Sequence, residues 1–282
     1  IPPSHNMILF AMAAGGGVSI GQLFMGGLIP GIILGIALMI MTAIIARKRN
    51  YPKGRVLSVK EIWKVTKDAL LGLMTCIIIV GGVIFGWFTA TESAAVAVVY
   101  AFIITFFVYR EIPLRQFGNI LRKSLRTIAM VMALIATASM FGWLLAYLKI
   151  PAMVTTALLG ISTNKIVILL LINVMCLILG CIMDMGPLIL ILTPILLPVA
   201  TQLGMEPVQF GAMLILNLAI GLCTPPVGAA LFAGCSIGRI KIEHATKACL
   251  PFYAMMILVL MLVTFVQPIS MFVPHLMAAM GN

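Results

Sequence analysis

The apolar positions fall in long runs, and charged residues, prolines and glycines are confined to short breaks between them. A helix needs about 20 apolar residues to cross a bilayer. Read between charges and breakers, the chain predicts a short half-helix at 7–14, stopped by Gly15-Gly16-Gly17, and a crossing at 21–46. A basic connector follows at 50–67, amphipathic from Val59 to Lys67. Crossings at 69–88 and 93–109 come next, and Leu114–Arg126 is expected along the membrane surface before a crossing at 127–147. Apolar arms at 166–183 and 188–203 flank Met183-Asp184-Met185-Gly186-Pro187; each is slightly short for a crossing, so a re-entrant hairpin with its tip at mid-membrane is expected. The run 208–222 ends at Cys223-Thr224-Pro225-Pro226-Val227-Gly228, where two prolines remove two backbone donors and break the helix. A half-helix at 229–236, a crossing at 245–266 and an apolar tail complete the pattern.

Charge gives these elements a direction. Eight of the 18 Lys and Arg residues lie between Arg47 and Lys67, and five between Arg110 and Arg126. Short basic loops beside apolar spans collect on the cytoplasmic side. On that rule 21–46 runs inward, 69–88 outward, 93–109 inward and 127–147 outward, and the hairpin enters from outside. Only Lys149 and Lys165 disagree. The net charge of +11 therefore reports membrane orientation rather than nucleic acid, which would need a soluble basic face. Composition agrees: 63% hydrophobic and 9% charged residues cannot cover a soluble surface. The six cysteines show no metal or CxxC spacing and read as small buried hydrophobes. The chain starts Ile-Pro-Pro without Met and reads as a piece of a longer one.

The first residues resemble the last third. Ile1-Pro2-Pro3-Ser4 and Thr224-Pro225-Pro226-Val227 each open a short apolar segment, then glycines, a polar patch and a long helix holding a proline, Pro30 or Pro251. By the charge argument the two long helices run in opposite directions. Inverted copies with Pro-broken helices are a signature of secondary transporters; chance recurrence of Pro and Gly punctuation is the alternative. The sequence thus predicts an all-α integral membrane protein, an inverted-repeat secondary transporter with a re-entrant hairpin and Pro-broken helices.

Candidate chemistry is sparse. Asp184 is the one charged residue between Lys165 and Glu206. A carboxylate at bilayer depth is costly unless it lines a cavity or meets a cation; a protonated Asp bonded to backbone, or a helix cap, is the other reading. The Thr224–Gly228 break frees carbonyls, tolerated at depth where they line a cavity. With a hydroxyl and a carboxylate they suit a hard cation such as Na⁺, while half-helix N-termini attract anions. A kink satisfied by neighbouring helices is the bland account. Thr89-x-x-Glu92 fits a capping box, a structural role. Trp87, Trp143 and Tyr147 fall at span ends as interface anchors. No nucleophile–base set emerges, so an intramembrane enzyme is a weak reading.

Three segments together resemble a known family: Gly86-Trp87-Phe88-Thr89-Ala90-Thr91-Glu92-Ser93-Ala94-Ala95-Val96; Met183-Asp184-Met185-Gly186-Pro187 running into Ile191-Leu192-Thr193-Pro194-Ile195-Leu196-Leu197-Pro198; and Thr-Pro-Pro-Val-Gly. They resemble the large membrane (M) subunit of tripartite ATP-independent periplasmic (TRAP) transporters, most of all the sialic-acid members, over the whole chain but without the N-terminal part. The resemblance implies a Na⁺-coupled, elevator-type importer of an organic acid, of the sialic acid or C4-dicarboxylate class, in the bacterial inner membrane. It also implies two partners: a periplasmic substrate-binding protein and a small membrane subunit, separate or fused N-terminally. One Na⁺ site would use Gly180, Asp184, Gly221, Thr224 and Val227, several through carbonyls. A second, partial here, would use Ile1, Pro3 and Ser4. Substrate would lie at the half-helix ends, by Met185, Gly186, Pro187, Pro225, Pro226 and Gly228. The expected division is 1–48 and 166–268 as transport domain, 49–165 as connector, scaffold and surface arm, and 269–282 as tail. A divalent-anion/Na⁺ symporter working without a binding protein is the main alternative.

Overall fold

Charged or polar breaks set where the helices of this chain start and stop. The protein is described here by a computed structural model, which covers residues 2–51, 58–110, 112–162 and 164–279; the regular structure among them is entirely helical. The helices are α1 (His5–Ala13), α2 (Ile20–Lys48), α3 (Val59–Ile84), α4 (Ala90–Ile103, continued by a π-helical turn to Tyr109), α5 (Phe117–Tyr147), α6 (Ile150–Ile161), α7 (Lys165–Ile182), α8 (Met185–Gln202), α9 (Pro207–Leu222), α10 (Ala229–Gly238), α11 (Ile242–Phe265) and α12 (Gln267–Ala279). Among the described residues six helices are long and apolar enough to cross a membrane, or up to seven if α3 counts as one span; α3 bends by 52° between Val59–Lys67 and Ala69–Ile84. This is an all-α, multi-pass membrane protein.

The chain forms two compact units, Pro3–Ile45 with the described part of Leu134–Asn282, and Ala46–Ala133. The first is organised around α9. Val208, Gln209, Phe210, Gly211, Ala212, Met213, Leu214, Asn217, Leu218, Ile220 and Gly221 of this one helix are all buried. A helix apolar nearly all round and covered nearly all round is a core element rather than a lipid-facing one. α1, α7, α8, α11 and α12 all pack on it. Gly211 makes the approach possible, since a Cβ there would lie 2.7 Å from the Phe10 ring and 2.8 Å from Leu23. Phe10 in turn meets Phe210, centroids 6.1 Å apart.

In the second unit the capping boxes are in place. Ser58 and Thr89 each accept from the backbone N–H three residues on, and Glu61 and Glu92 reach back to the cap N–H groups. Gly82 and Ser93 bring α3 and α4 together, and the Ser93 hydroxyl donates to the Ile78 carbonyl at 2.9 Å. Trp87 of this unit and Trp143 and Tyr147 of the first are 73%, 67% and 71% exposed, the outward placement that interface anchors need.

Several elements differ from the sequence expectation: α7 and α8, expected as arms slightly short for a crossing, are both among the six helices long and apolar enough to cross. The surface segment and the crossing at 127–147 form one continuous helix, α5. α6 was not anticipated: at 12 residues it is below the length of a crossing, and Pro151 starts it by fixing φ. The apolar tail is helical from Gln267 to Ala279. Leu134–Ile161 also group with the first unit, inside the stretch expected to be scaffold.

Candidate functional site

The end of α7 and the end of α9 meet glycine to glycine. A Cβ on Gly221 would lie 2.6 Å from the Gly180 carbonyl carbon and 2.7 Å from its Cα. No side chain fits between the backbones, so the two helix ends are held in register. One turn on, the Thr224 hydroxyl donates to the Gly221 carbonyl at 2.9 Å and lies 2.8 Å from the Cys181 sulfur. The chain then passes through a cis Pro225–Pro226 bond. It returns so that the Val227 and Gly228 N–H groups both donate to the Cys181 carbonyl, at 3.1 and 3.3 Å. Gly228 starts α10 with φ +43, and a Cβ there would come within 2.5 Å of the Thr224 carbonyl oxygen. Only glycine suits that position.

The carbonyls around the break divide into spent and free, which refines the expectation that the two prolines free acceptors. The Gly221 carbonyl is taken by both the N–H and the hydroxyl of Thr224. The Cys223 carbonyl accepts from the Tyr253 hydroxyl at 2.6 Å. The Leu222 carbonyl loses its helical donor to Pro226, and among the described residues neither it nor the Thr224 carbonyl accepts a hydrogen bond. Oxygens with free lone pairs in an apolar setting are what a hard cation requires. Below the glycine contact the same α7–α9 seam carries buried amides. Asn217 donates to both the carbonyl and Oδ1 of Asn173 at 2.9 Å, and Asn173 donates to Thr264 Oγ1 at 3.3 Å. Gln209 fixes α9 to α11 through the Val263 and Thr264 carbonyls.

The structure therefore brings Gly180, Gly221, Thr224 and the Val227 backbone into one junction. Asp184 stands beyond the end of α7 as the N-cap of α8, exposed, and its side chain makes no capping bond. No hydrogen bond or ion pair ties its carboxylate to the junction among the described residues. Met185 is buried, Gly186 and Pro187 are half-buried on the first turn of α8, and Pro225 and Pro226 are exposed. At the first break, Ile1 lies outside the described residues. Pro3 is exposed, and Ser4 is the N-cap of α1 with no side-chain capping bond. α1 packs on α8, and Asn6 Nδ2 donates to the Met185 sulfur at 3.2 Å, so the starts of α1 and α8 lie side by side. A cavity of about 230 Å³, lined by residues including Met12, Gly142, Leu190 and Pro194, sits away from both junctions.

Sequence reasoning passed over Asn6, Asn173, Cys181, Gln209, Asn217 and Tyr253. A signal for some of them was there: amides inside uncharged apolar runs, with Asn217, Gly221 and Thr224 at the i, i+4, i+7 spacing of one helix face. Cys181 gave none, because its part is played mainly by its backbone carbonyl.

The sequence matches the family described as "Tripartite ATP-independent periplasmic transporter, DctM component" over residues 1–269. The chain belongs to that family. Relatives of this DctM-family chain include the protein YgiK of Salmonella typhimurium, 39% identical over 99% of the chain and 63% of the relative. The isethionate TRAP transporter permease protein DctMQ of Oleidesulfovibrio alaskensis is 41% identical over 96% of the chain and 43% of its own length. The sialic acid TRAP transporter large permease protein SiaM of Vibrio cholerae is 39% identical over the whole chain and 66% of its own length. The DctM-family chain thus spans less than two thirds of these relatives.

Proposed function

We propose that this chain is part of the large membrane subunit of a Na⁺-coupled organic-acid importer in the bacterial inner membrane, its basic loops cytoplasmic. Its substrate, of the sialic acid or C4-dicarboxylate class, is delivered by a periplasmic binding protein, and the subunit works with a small membrane subunit. The observation that carries this reading is the junction of the α7 end with the Pro-broken α9–α10 span. It brings two carbonyl oxygens without hydrogen-bond donors together with the Thr224 hydroxyl at a helix break, and Asp184 follows α7 two residues beyond its end, which supports a cation site there. Na⁺ there would be held by Asp184, Thr224 and the Gly180 and Val227 carbonyls, with the free Leu222 and Thr224 carbonyls taking the part expected of Gly221, whose carbonyl Thr224 occupies. A second ion would sit at the break formed by Ile1, Pro3 and Ser4 with residues from outside this chain. Substrate would lie at the helix starts near Met185, Gly186, Pro187, Pro225, Pro226 and Gly228.

Ion binding would close the substrate site, and residues 1–46 with 166–266 would carry both across as an elevator against scaffold helices from 60–147. The test is uptake into proteoliposomes by the full-length subunit with its partners. An imposed Na⁺ gradient should drive uptake, and Asp184→Ala should lose most of it. Uptake indifferent to Na⁺, or unchanged in Asp184→Ala, would overturn the mechanism.

A further inference from the structure

The carboxamide of Asn6 has a polar atom with nothing to bond. Asn6 is 9% exposed; among the described residues its Nδ2 donates only to the Met185 thioether, at 3.2 Å, and its buried Oδ1 has no hydrogen-bond partner. An orphaned acceptor of this kind costs about 1–3 kcal/mol and calls for a role. Its surroundings supply one. Asn6 lies in the first turn of α1, whose N-cap Ser4 makes no side-chain capping bond. It points at Met185, the first residue of α8, whose N-cap Asp184 makes none either. Leu9 of α1 reaches to within 3.8 Å of where a Gly186 Cβ would stand, so the two helix starts are in contact. Two adjacent N-termini with open first-turn N–H groups favour an anion. The Asp184 carboxylate opposes one there until a cation offsets its charge.

We propose that Asn6 is a substrate-recognising residue that selects organic acids carrying a hydroxyl beside the acid group. A bare carboxylate offers only acceptors, which Asn6 Nδ2 can meet and Oδ1 cannot. A hydroxy acid meets both: Nδ2 donates to its carboxylate or sulfonate, and Oδ1 accepts from its hydroxyl. The thioether of Met185 fills the place of the acid when none is bound and swings aside on binding, a motion its flexible, unbranched side chain permits. This deepens the transport reading above and rests on it for the location of the substrate.

The test uses the full-length subunit with its small membrane partner in lipid nanodiscs, in Na⁺ and in K⁺. Half-saturating concentrations are measured for two pairs of acids that differ by one hydroxyl: malate against succinate, and isethionate against ethanesulfonate. The wild type should prefer the hydroxylated member of each pair by about tenfold, the worth of one satisfied buried acceptor. Asn6→Leu should bring both ratios close to one while the ligand-free thermal midpoint shows that the protein is folded. Met185→Leu, of similar volume and without the sulfur acceptor, should tighten hydroxy-acid binding about threefold, the worth of a weak hydrogen bond. Hydroxyl preference absent in the wild type, or kept in Asn6→Leu, overturns the assignment, as does a wild type that binds neither hydroxylated acid. If the preference is present and lost in Asn6→Leu but identical in Na⁺ and K⁺, Asn6 stands and Na⁺ coupling falls. Na⁺-dependent binding without hydroxyl preference does the reverse: the coupling stands and Asn6 loses its part in recognition.

Discussion

α7 and α8 are both 18-residue apolar helices that meet at Met183-Asp184, yet they are held in different ways. α7 is fixed by directional contacts: glycine against glycine at Gly180–Gly221, the Asn173–Asn217–Thr264 amide chain, and the Cys181 carbonyl that anchors the start of α10. α8 contains Pro194 and Pro198, which remove two helical donors, and the buried Thr193 hydroxyl has no partner among the described residues. Among the described residues its side-chain hydrogen bond to another helix is the weak Asn6–Met185 bond, and the rest is mostly apolar packing. Packing without directional bonds tolerates sliding, whereas buried amide pairs specify one register. A hairpin can thus have one arm bolted to the core and the other free to re-pack.

The most severe way to remove this asymmetry is Gly221→Val. The new side chain would have to displace the Gly180 backbone, at a cost of about 3 kcal/mol, the upper part of the usual overpacking range. A lower thermal midpoint and loss of monodisperse protein in detergent would register it; a wild-type melt would refute the glycine contact. Asn217→Leu leaves the Asn173 Oδ1 acceptor buried and unpaired and should cost about 1.5 kcal/mol, near the upper limit for interhelical hydrogen bonds in membranes. Pro194→Ala probes the other arm. It restores a donor to the Leu190 carbonyl, so stability should rise by about 1 kcal/mol, and uptake by the full-length protein should fall as α8 stiffens. Amide exchange should then be slower across α8 and unchanged across α7. Ser93→Ala, in the second compact unit, removes bonds to the Ile78 and Ile79 carbonyls and should cost about 0.6 kcal/mol with no change in α7 or α8 exchange.

Much of this fold was legible without coordinates because crossing helices are read from length and hydropathy, and charged breaks mark their ends. α2, α7, α8, α9 and α11 lie within a few residues of their expected bounds. α6 and α12 escaped because short apolar helices carry no length signal. The Thr224–Gly228 break was legible from its two prolines, whereas Gly180 and Gly221 were indicated by the family resemblance alone. Asp184 was legible as a lone charge.

The order of residues along the chain is enough to establish an all-α membrane protein, the places where its spans break, and the family motifs it carries. Each of these depends on local composition or on residues close together in the sequence. Packing in three dimensions was needed to show that Gly180 faces Gly221 across a gap too small for a Cβ. It was needed again to show that Gly221 and Cys223 have spent their carbonyls on Thr224 and Tyr253 while Leu222 and Thr224 have not. The same packing set Asn6 against Met185, 179 residues away. Hydrogen-bond satisfaction in a membrane core is a property of the packed neighbours, and no span carries that information within its own sequence.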